Sequence, residues 1–335
     1  MNPTSTLSKR LLQAAIEHHA TDLHFYPFPK QTDIYFRIHG KRKLFKQIKT
    51  EQYQLLLTFY KFTSGMDIGE SRKPQNGTLA HYEKSNLYSL RLSTLPVNQR
   101  ESLAVRILPQ TENVALENLF LFPAQFKKLK KWISKRAGLI LLTGPTGSGK
   151  TTTMYALLQA ILQEESYQTI TLEDPIEKEI DDILQVQVNE KAGITYQTGL
   201  RAALRHDPDI LMIGEIRDKY TAQFAFEAAL TGHLVLSTLH AKDTLGTIHR
   251  LQEMGIEQIF LEQTLIAIAS IQLIPLTINK KEQRAAVLEL LDETQLKDAL
   301  KGVDIRKSIP FQSFYHLRKK AFAYGFISEE TFHHS

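Results

Sequence analysis

The 335-residue chain contains no cysteine. Disulfides, a Cys-ligated zinc site and thiol catalysis are thereby excluded, and the composition suits a reducing cytosol. Long apolar runs are missing too. The best candidate for a membrane span, Leu265 to Leu276, is short and carries Ser270 and Gln272. The N-terminal stretch Ser8–His19 is amphipathic and interrupted by charge, so it does not read as a secretory signal. A soluble, cytoplasmic protein is expected. Neither sign of charge dominates: the net is +5, and the basic clusters at Lys41–Lys43 and Lys127–Lys131 read chiefly as solvated faces. Direct nucleic-acid contact is therefore not expected, although a basic surface permits it. Hydrophobic residues make up 42% and charged ones 23%, enough for a real core, and the length predicts two domains.

The most informative stretch is Leu139-Ile-Leu-Leu-Thr-Gly-Pro-Thr-Gly-Ser-Gly-Lys-Thr-Thr-Thr153. An apolar strand breaks into a glycine-rich loop, and a helix follows from about Lys150. The spacing G-x-x-x-x-G-K-T is that of a phosphate-binding loop. Glycines let backbone N–H groups turn around an anion, and the helix points its positive end at the same place. Gly144, Thr146, Gly147, Ser148, Gly149, Lys150, Thr151 and Thr152 are the candidate nucleotide-binding residues. Lys150 would supply charge to the β- and γ-phosphates, and the Thr151 hydroxyl would ligate Mg²⁺.

Residues 1–108 alternate between helix and strand patterns. Helices are expected at 7–19, capped by Ser5 or Thr6, and at 50–63. Strands are expected at 33–40, 77–84, 87–94 and 102–108. A linker over 109–118 then leads to a second domain over 119–335. There, strands at 139–143, 168–172, 209–213 and 233–238 alternate with helices at 150–163, 195–205, 219–230, 243–254 and 256–271. That alternation implies an α/β domain with a parallel sheet and a RecA-like core, followed by a tail with a strand at 284–291 and helices at 295–300 and 315–324.

Ligands of open α/β sheets bind at the carboxyl ends of the strands. Thr171-Leu-Glu-Asp-Pro-Ile-Glu177 and Gly214-Glu-Ile-Arg-Asp218 follow two such strands, so Glu173, Asp174 and Glu215 should converge near Lys150. A carboxylate there can polarise the attacking water or hold Mg²⁺ through water, so Glu173 and Glu215 are both catalytic and metal candidates. The aspartate usual at the end of such a strand is absent, and Gly214 stands in its place. His233 and His240 bracket the strand of Thr231-Gly-His-Leu-Val-Leu-Ser-Thr-Leu-His240. Either could sense the γ-phosphate, and either could be a buried structural histidine.

Taken in order, Gly144–Thr153, Thr171–Glu177, Gly214–Asp218 and Thr231–His240 resemble the Walker A, Asp-box, Walker B and His-box motifs of the secretion ATPases of type II secretion, type IV pilus and competence machines. Thr21-Asp-Leu-His-Phe-Tyr-Pro27, Tyr35–Gly40 and Ser71–Gly77 are similar to segments of that family's second N-terminal domain, a smaller α+β domain of PAS-like type. The resemblance covers about residues 20–275, and Gln185–Thr195 and Arg250–Ile256 look like the assembly branch. It implies a hexameric ATPase using ATP and Mg²⁺ on the inner face of the cell membrane. Its partners would be a polytopic membrane platform protein and, indirectly, pilin-like proteins. It also implies that Arg91 and Arg106 act as arginine fingers on a nucleotide bound between two domains; by themselves they read as outward positions on strands.

The chain departs from the pattern in three ways. It begins at the second N-terminal domain, it lacks the four-cysteine zinc module, so no zinc is expected, and the family's Gln-Arg-Leu reads Ile271-Gln-Leu273. A short, zinc-free assembly ATPase most resembles those of Gram-positive competence systems. A RecA-like nucleic-acid motor and a non-hydrolysing nucleotide-dependent scaffold stand as the alternatives.

Overall fold

The protein is described by a computed structural model covering residues 3–98, 100–110, 115–164, 166–278, 281–307 and 311–334. The chain divides into two compact units, Met1–Glu112 and Asn113–Ser335. The expected linker at 109–118 falls partly outside the described residues.

The first unit runs α1 (Pro3–Glu17), β1 (Ala20–Pro27), β2 (Gln31–Ile38), β3 (Lys41–Lys49), α2 (Thr50–Thr63), β4 (Gln75–Glu83), β5 (Asn86–Val97) and β6 (Arg100–Pro109). Its six strands form an antiparallel sheet in the order β3-β2-β1-β6-β5-β4. Period-two alternation decides the faces. Leu23, Phe25, Ile34, Phe36, Leu90, Leu92, Leu103 and Val105 turn inward under Leu11 and Leu12 of α1 and Tyr53, Leu56 and Tyr60 of α2. Their sequence neighbours, among them Asp22, Arg37, Arg91 and Arg106, project from the other face.

One expectation changes here: α1 begins at Pro3, so Ser5 and Thr6 lie inside the helix rather than capping it. The basic cluster at Lys41–Lys43 belongs to β3, an edge strand that is exposed along almost its whole length. Its lysines face solvent as expected, on a strand that pairs with β2 across a bulge at Phe45.

The second unit contains α3 (Pro123–Ile133), β7 (Gly138–Thr143), α4 (Lys150–Leu162), β8 (Thr169–Glu173), β9 (Leu184–Gln187), α5 (Tyr196–Ala203), β10 (Ile210–Ile213), α6 (Lys219–Leu230), β11 (Leu234–Leu239), α7 (Thr244–Glu253) and α8 (Gln258–Thr264). After these come β12 (Leu265–Ile278), β13 (Lys281–Asp292), α9 (Glu293–Leu300), α10 (Phe314–Ala323) and α11 (Glu329–His334). Seven strands pair in the order β13-β12-β7-β11-β10-β8-β9, all parallel except the β12–β13 hairpin. The alternation of β7 feeds both faces. Leu139 and Leu141 pack with α5 to α9, and Ile140 and Leu142 pack with α3 and α4.

The expected helix over 256–271 is corrected: it ends at Thr264, and residues 265–278 continue as β12 beside β7. Leu265 to Ile271 is buried on both faces. A continuous apolar run of that kind has no period that separates a buried strand from a buried helix, and the free edge of β7 decides it. The same run is the sequence's best candidate membrane span. No helix among the described residues is long and apolar enough to cross a membrane.

Candidate active site

Because β7, β11, β10 and β8 are parallel, their carboxyl ends share one edge of the sheet, and the glycine-rich loop caps it. Gly144, Gly147 and Gly149 adopt φ values of 143°, 80° and 96°. At Gly144 any side chain is excluded, because a Cβ would lie 2.7 Å from both the Ile271 carbonyl oxygen and Ser148 Oγ. Gly149 is the N-cap of α4 and provides no side-chain acceptor for the first N–H groups of that helix. Those groups are left for an anion.

Lys150 is 8% exposed, and its Nζ donates to the carbonyls of Gly144 at 2.8 Å and Pro145 at 3.0 Å. Burial lowers its pKa, while the charges of Glu215 and Glu177 oppose that shift. Ser148 Oγ and Thr143 Oγ1 are buried without a hydrogen-bond partner among the described residues. Thr151 is half-buried on the first turn of α4, whereas Thr146 at the loop tip and Thr152 are exposed. A cradle of backbone N–H groups, a buried ammonium and an unsatisfied hydroxyl fits a polyphosphate.

The two acids expected to share the chemistry are held very differently. Glu173, at the end of β8, is 3% exposed. It accepts hydrogen bonds from the Tyr155 hydroxyl, from Thr171 Oγ1 at 2.6 Å and from Gln185 Nε2 at 3.1 Å. Its oxygens are thus occupied by neutral donors. Glu215 follows β10, and its side chain is 17% exposed. One of its oxygens pairs with Arg217 Nε, and the other lies 3.3 Å from His240 Nε2. The Arg217 guanidinium also reaches Asp174 at 3.0 Å, so it gathers Glu215 and Asp174 into one cluster beside His240. Of the two acids, Glu215 is the one with access to water.

The residue before it explains the missing aspartate. A Cβ on Gly214 would stand 3.1 Å from the Leu172 carbonyl oxygen and 3.3 Å from the Tyr196 hydroxyl. Both contacts are tight, so an acid there would require the β8 backbone or the Tyr196 ring to give by a few tenths of an ångström.

His233 is not brought to this site. It precedes β11, whereas His240 follows it, and the seven steps along the strand separate the two by about 23 Å at ~3.3 Å per residue. The His233 ring bonds the Ala228 carbonyl at 3.0 Å and Thr231 Oγ1 at 3.1 Å, closing the end of α6. Of the two readings open for His233, these bonds fit the structural one.

In the first unit, Arg91 and Arg106 are direct cross-strand partners of β5 and β6, on the face away from the helices. Arg106 Nε donates to Asp22 Oδ1 at 2.8 Å.

Three residues were not singled out from the sequence. Arg217 lies two positions from Glu215 on extended chain, a spacing that puts both on one side. Tyr155 lies one helical turn beyond Thr151, on the same face. Asp22 lies in the Thr21–Pro27 segment that carries the family resemblance, but nothing local pairs it with Arg106, 84 residues away.

A phosphate-binding loop closing a central strand of a parallel sheet, with a water-accessible carboxylate at the end of the next strand but one, defines a P-loop ATPase with a RecA-like core. A family model described as Type II/IV secretion system protein matches residues 1–308. The chain belongs to that family and is an ATP-hydrolysing enzyme. It is 40% identical over 347 residues to "Competence protein ComGA" of Bacillus subtilis (strain 168), covering 99% of this chain and 98% of that protein. It is 41% identical over 273 residues to "Type II secretion system protein E" of Klebsiella pneumoniae, covering 81% of this chain and 55% of that longer protein. Among solved structures, the pilus retraction motor PilT with bound ADP superposes with a TM-score of 0.75 at 28% identity, covering 96% of this chain and 95% of that one. The ATPase DotB of Legionella pneumophila shares the fold, with a TM-score of 0.81 at 22% identity over 98% of this chain and 94% of that one.

Proposed function

We propose that this ATPase powers assembly of a pilus-like fibre used in DNA uptake. The reading is supported above all by similarity to a competence protein along nearly the whole of both chains. Its resemblance to assembly rather than retraction segments points the same way.

In the proposed reaction, ATP is held by the loop N–H groups, Lys150 and Ser148. Glu215 accepts the proton of the attacking water, aided by the nearby imidazole of His240. Glu173, saturated by Tyr155, Thr171 and Gln185, fixes the strand end rather than taking that proton. Among the described residues no group of three or more His, Asp or Glu could itself hold a metal ion. Mg²⁺ would therefore rest on the Thr151 hydroxyl and the nucleotide's own phosphates, with Glu215 and Glu173 contributing at most through water, and it would supply charge neutralisation. Arg91 and Arg106 neutralise charge developing on the γ-phosphoryl group. Their engagement and release, cycling around a ring of six copies, would do work on a polytopic membrane protein and so on pilin-like subunits.

The test is made in the bacterium carrying the gene. Replacing the chain by Lys150→Ala should abolish both the surface fibre and transformation by added DNA. Unchanged transformation with loss of protein secretion or of surface motility would assign the motor to a type II secretion or another pilus system. Unaltered behaviour in all three would sink the reading.

A further inference from the structure

The solvent-facing side of the six-stranded sheet carries a row set by register alone. Arg37 on β2 pairs with Asp22 on β1, Asp22 pairs with Arg106 on β6, and Arg106 pairs with Arg91 on β5. Three guanidinium groups thus stand in line with a single carboxylate. Like charges directly opposite one another across strands are unfavourable, so Arg106, which faces Arg91 on one side, gains from a counter-charge on the other.

Asp22 is that counter-charge, and it is only 6% exposed. Its Oδ1 accepts from Arg106 Nε at 2.8 Å. Its Oδ2 accepts from Thr21 Oγ1 at 2.8 Å and lies 3.7 Å from Arg37 Nε. Both carboxylate oxygens are therefore engaged, one by each side of the row.

The choice of nitrogen is informative. A guanidinium has five N–H donors in a rigid fork. Asp22 uses the Nε edge of Arg106, which leaves the two terminal nitrogens as a planar pair on a side chain that is 56% exposed. A forked pair of that kind is the geometry that recognises phosphate oxygens. An exposed arginine without such an anchor would first have to lose its rotamer freedom.

We propose that Asp22 is the positioning residue for Arg106: it holds the guanidinium by its Nε edge and presents the terminal nitrogens to the γ-phosphate. Arg37, 3.7 Å from the other carboxylate oxygen, balances Asp22 from the opposite side of the row. The inference deepens the arginine reading given under Proposed function and rests on it.

The experiment is a double-mutant cycle on the full-length chain, reading ATP turnover and the affinity for a fluorescent ATP analogue. Arg106→Ala should lower kcat. Asp22→Asn, nearly isosteric, should lower kcat roughly tenfold, the effect of one lost charge-assisted hydrogen bond, with nucleotide affinity within about twofold. In the Arg106→Ala background, Asp22→Asn should cost nothing further. Arg106→Lys keeps the charge but cannot be held at one edge while offering another, so it should match Asp22→Asn.

Additive losses in the cycle would overturn the inference and leave the arginine finger standing. Wild-type kcat in Asp22→Asn or in Arg106→Lys would do the same. Wild-type turnover in Arg106→Ala would remove the finger itself, and the positioning role with it.

Discussion

Replacing Tyr155 by Phe isolates the bond that holds the buried acid at the end of β8. The ring is 6% exposed, so the Phe ring fills the same space and only the hydroxyl is lost. Burial, and then the charge and hydrogen bond of Glu173, raise the Tyr155 pKa well above the ordinary phenol range, so at neutral pH the hydroxyl is protonated and donates. It also accepts from the backbone N–H groups of Glu177 at 3.2 Å and Lys178 at 3.4 Å. Both of those residues are half-exposed, and water can take over there. The main loss is one donor to a buried carboxylate, worth roughly 1.5–3 kcal/mol. Thr171 and Gln185 still bond Glu173, which places the expected cost near 2 kcal/mol. For a unit of this size each kcal/mol lowers Tm by roughly 2–4 °C, so a fall of about 4–8 °C is expected. Calorimetry of the full chain, following the transition that ATP analogues raise, gives the measurement. In a Glu173→Gln background the same substitution should cost much less, because the charge that made the bond strong is gone. A Tm within about 1 °C of wild type would refute the reasoning. It would mean that the Tyr155 hydroxyl contributes nothing to holding the Glu173 side chain at the end of β8.

Two further predictions follow from the same geometry. Glu215→Gln should bind ATP as tightly as wild type while turning over roughly 10²–10⁴-fold more slowly, because only the proton acceptor is removed. Weakened ATP binding instead would make Glu215 chiefly a support for metal or loop. Burial lowers the pKa of His24 below 6.5; Asp22 opposes the shift, and Arg37, Arg42 and Arg106 add to it. The folded state then resists a proton that the unfolded chain accepts, so this contribution is intact above pH 6.5 and is lost as pH falls through the lower, folded value. His24→Gln should flatten that part of the stability profile of the first unit; an unchanged profile would show that His24 is free to ionise.

The phosphate-binding loop was legible because its spacing is local: the run from Gly144 to Thr151 carries the glycines, the cation and the hydroxyl within eight residues, although the carbonyl of distant Ile271 also excludes a side chain at Gly144. The alternation of strands and helices in the second unit was legible for a similar reason, since each segment's period is its own. What escaped depends on pairing between distant segments. β12 looked helical because a run buried on both faces has no period, and only its place beside β7 makes it a strand. β9 is four residues long and half-exposed, and it gave no pattern. The Asp22–Arg106 bond joins residues 84 apart in sequence through sheet register. The difference between Glu173 and Glu215 could not be seen either, since both follow a strand, and only the positions of Tyr155, Gln185 and Arg217 separate them.

β3 carries a consequence for how copies of this chain meet. Its free edge exposes Leu44 at 54% and Phe45 at 39%, apolar groups on backbone that could accept a further strand. Lys41, Arg42, Lys43, Lys46 and Lys49 surround them. A second β3 docking edge to edge would bring like charges opposite one another along its length. The basic run therefore acts as a gatekeeper against self-templating, keeping the first unit from joining its copies by sheet extension. Substitutions that neutralise it should show up first as aggregation, with catalysis untouched.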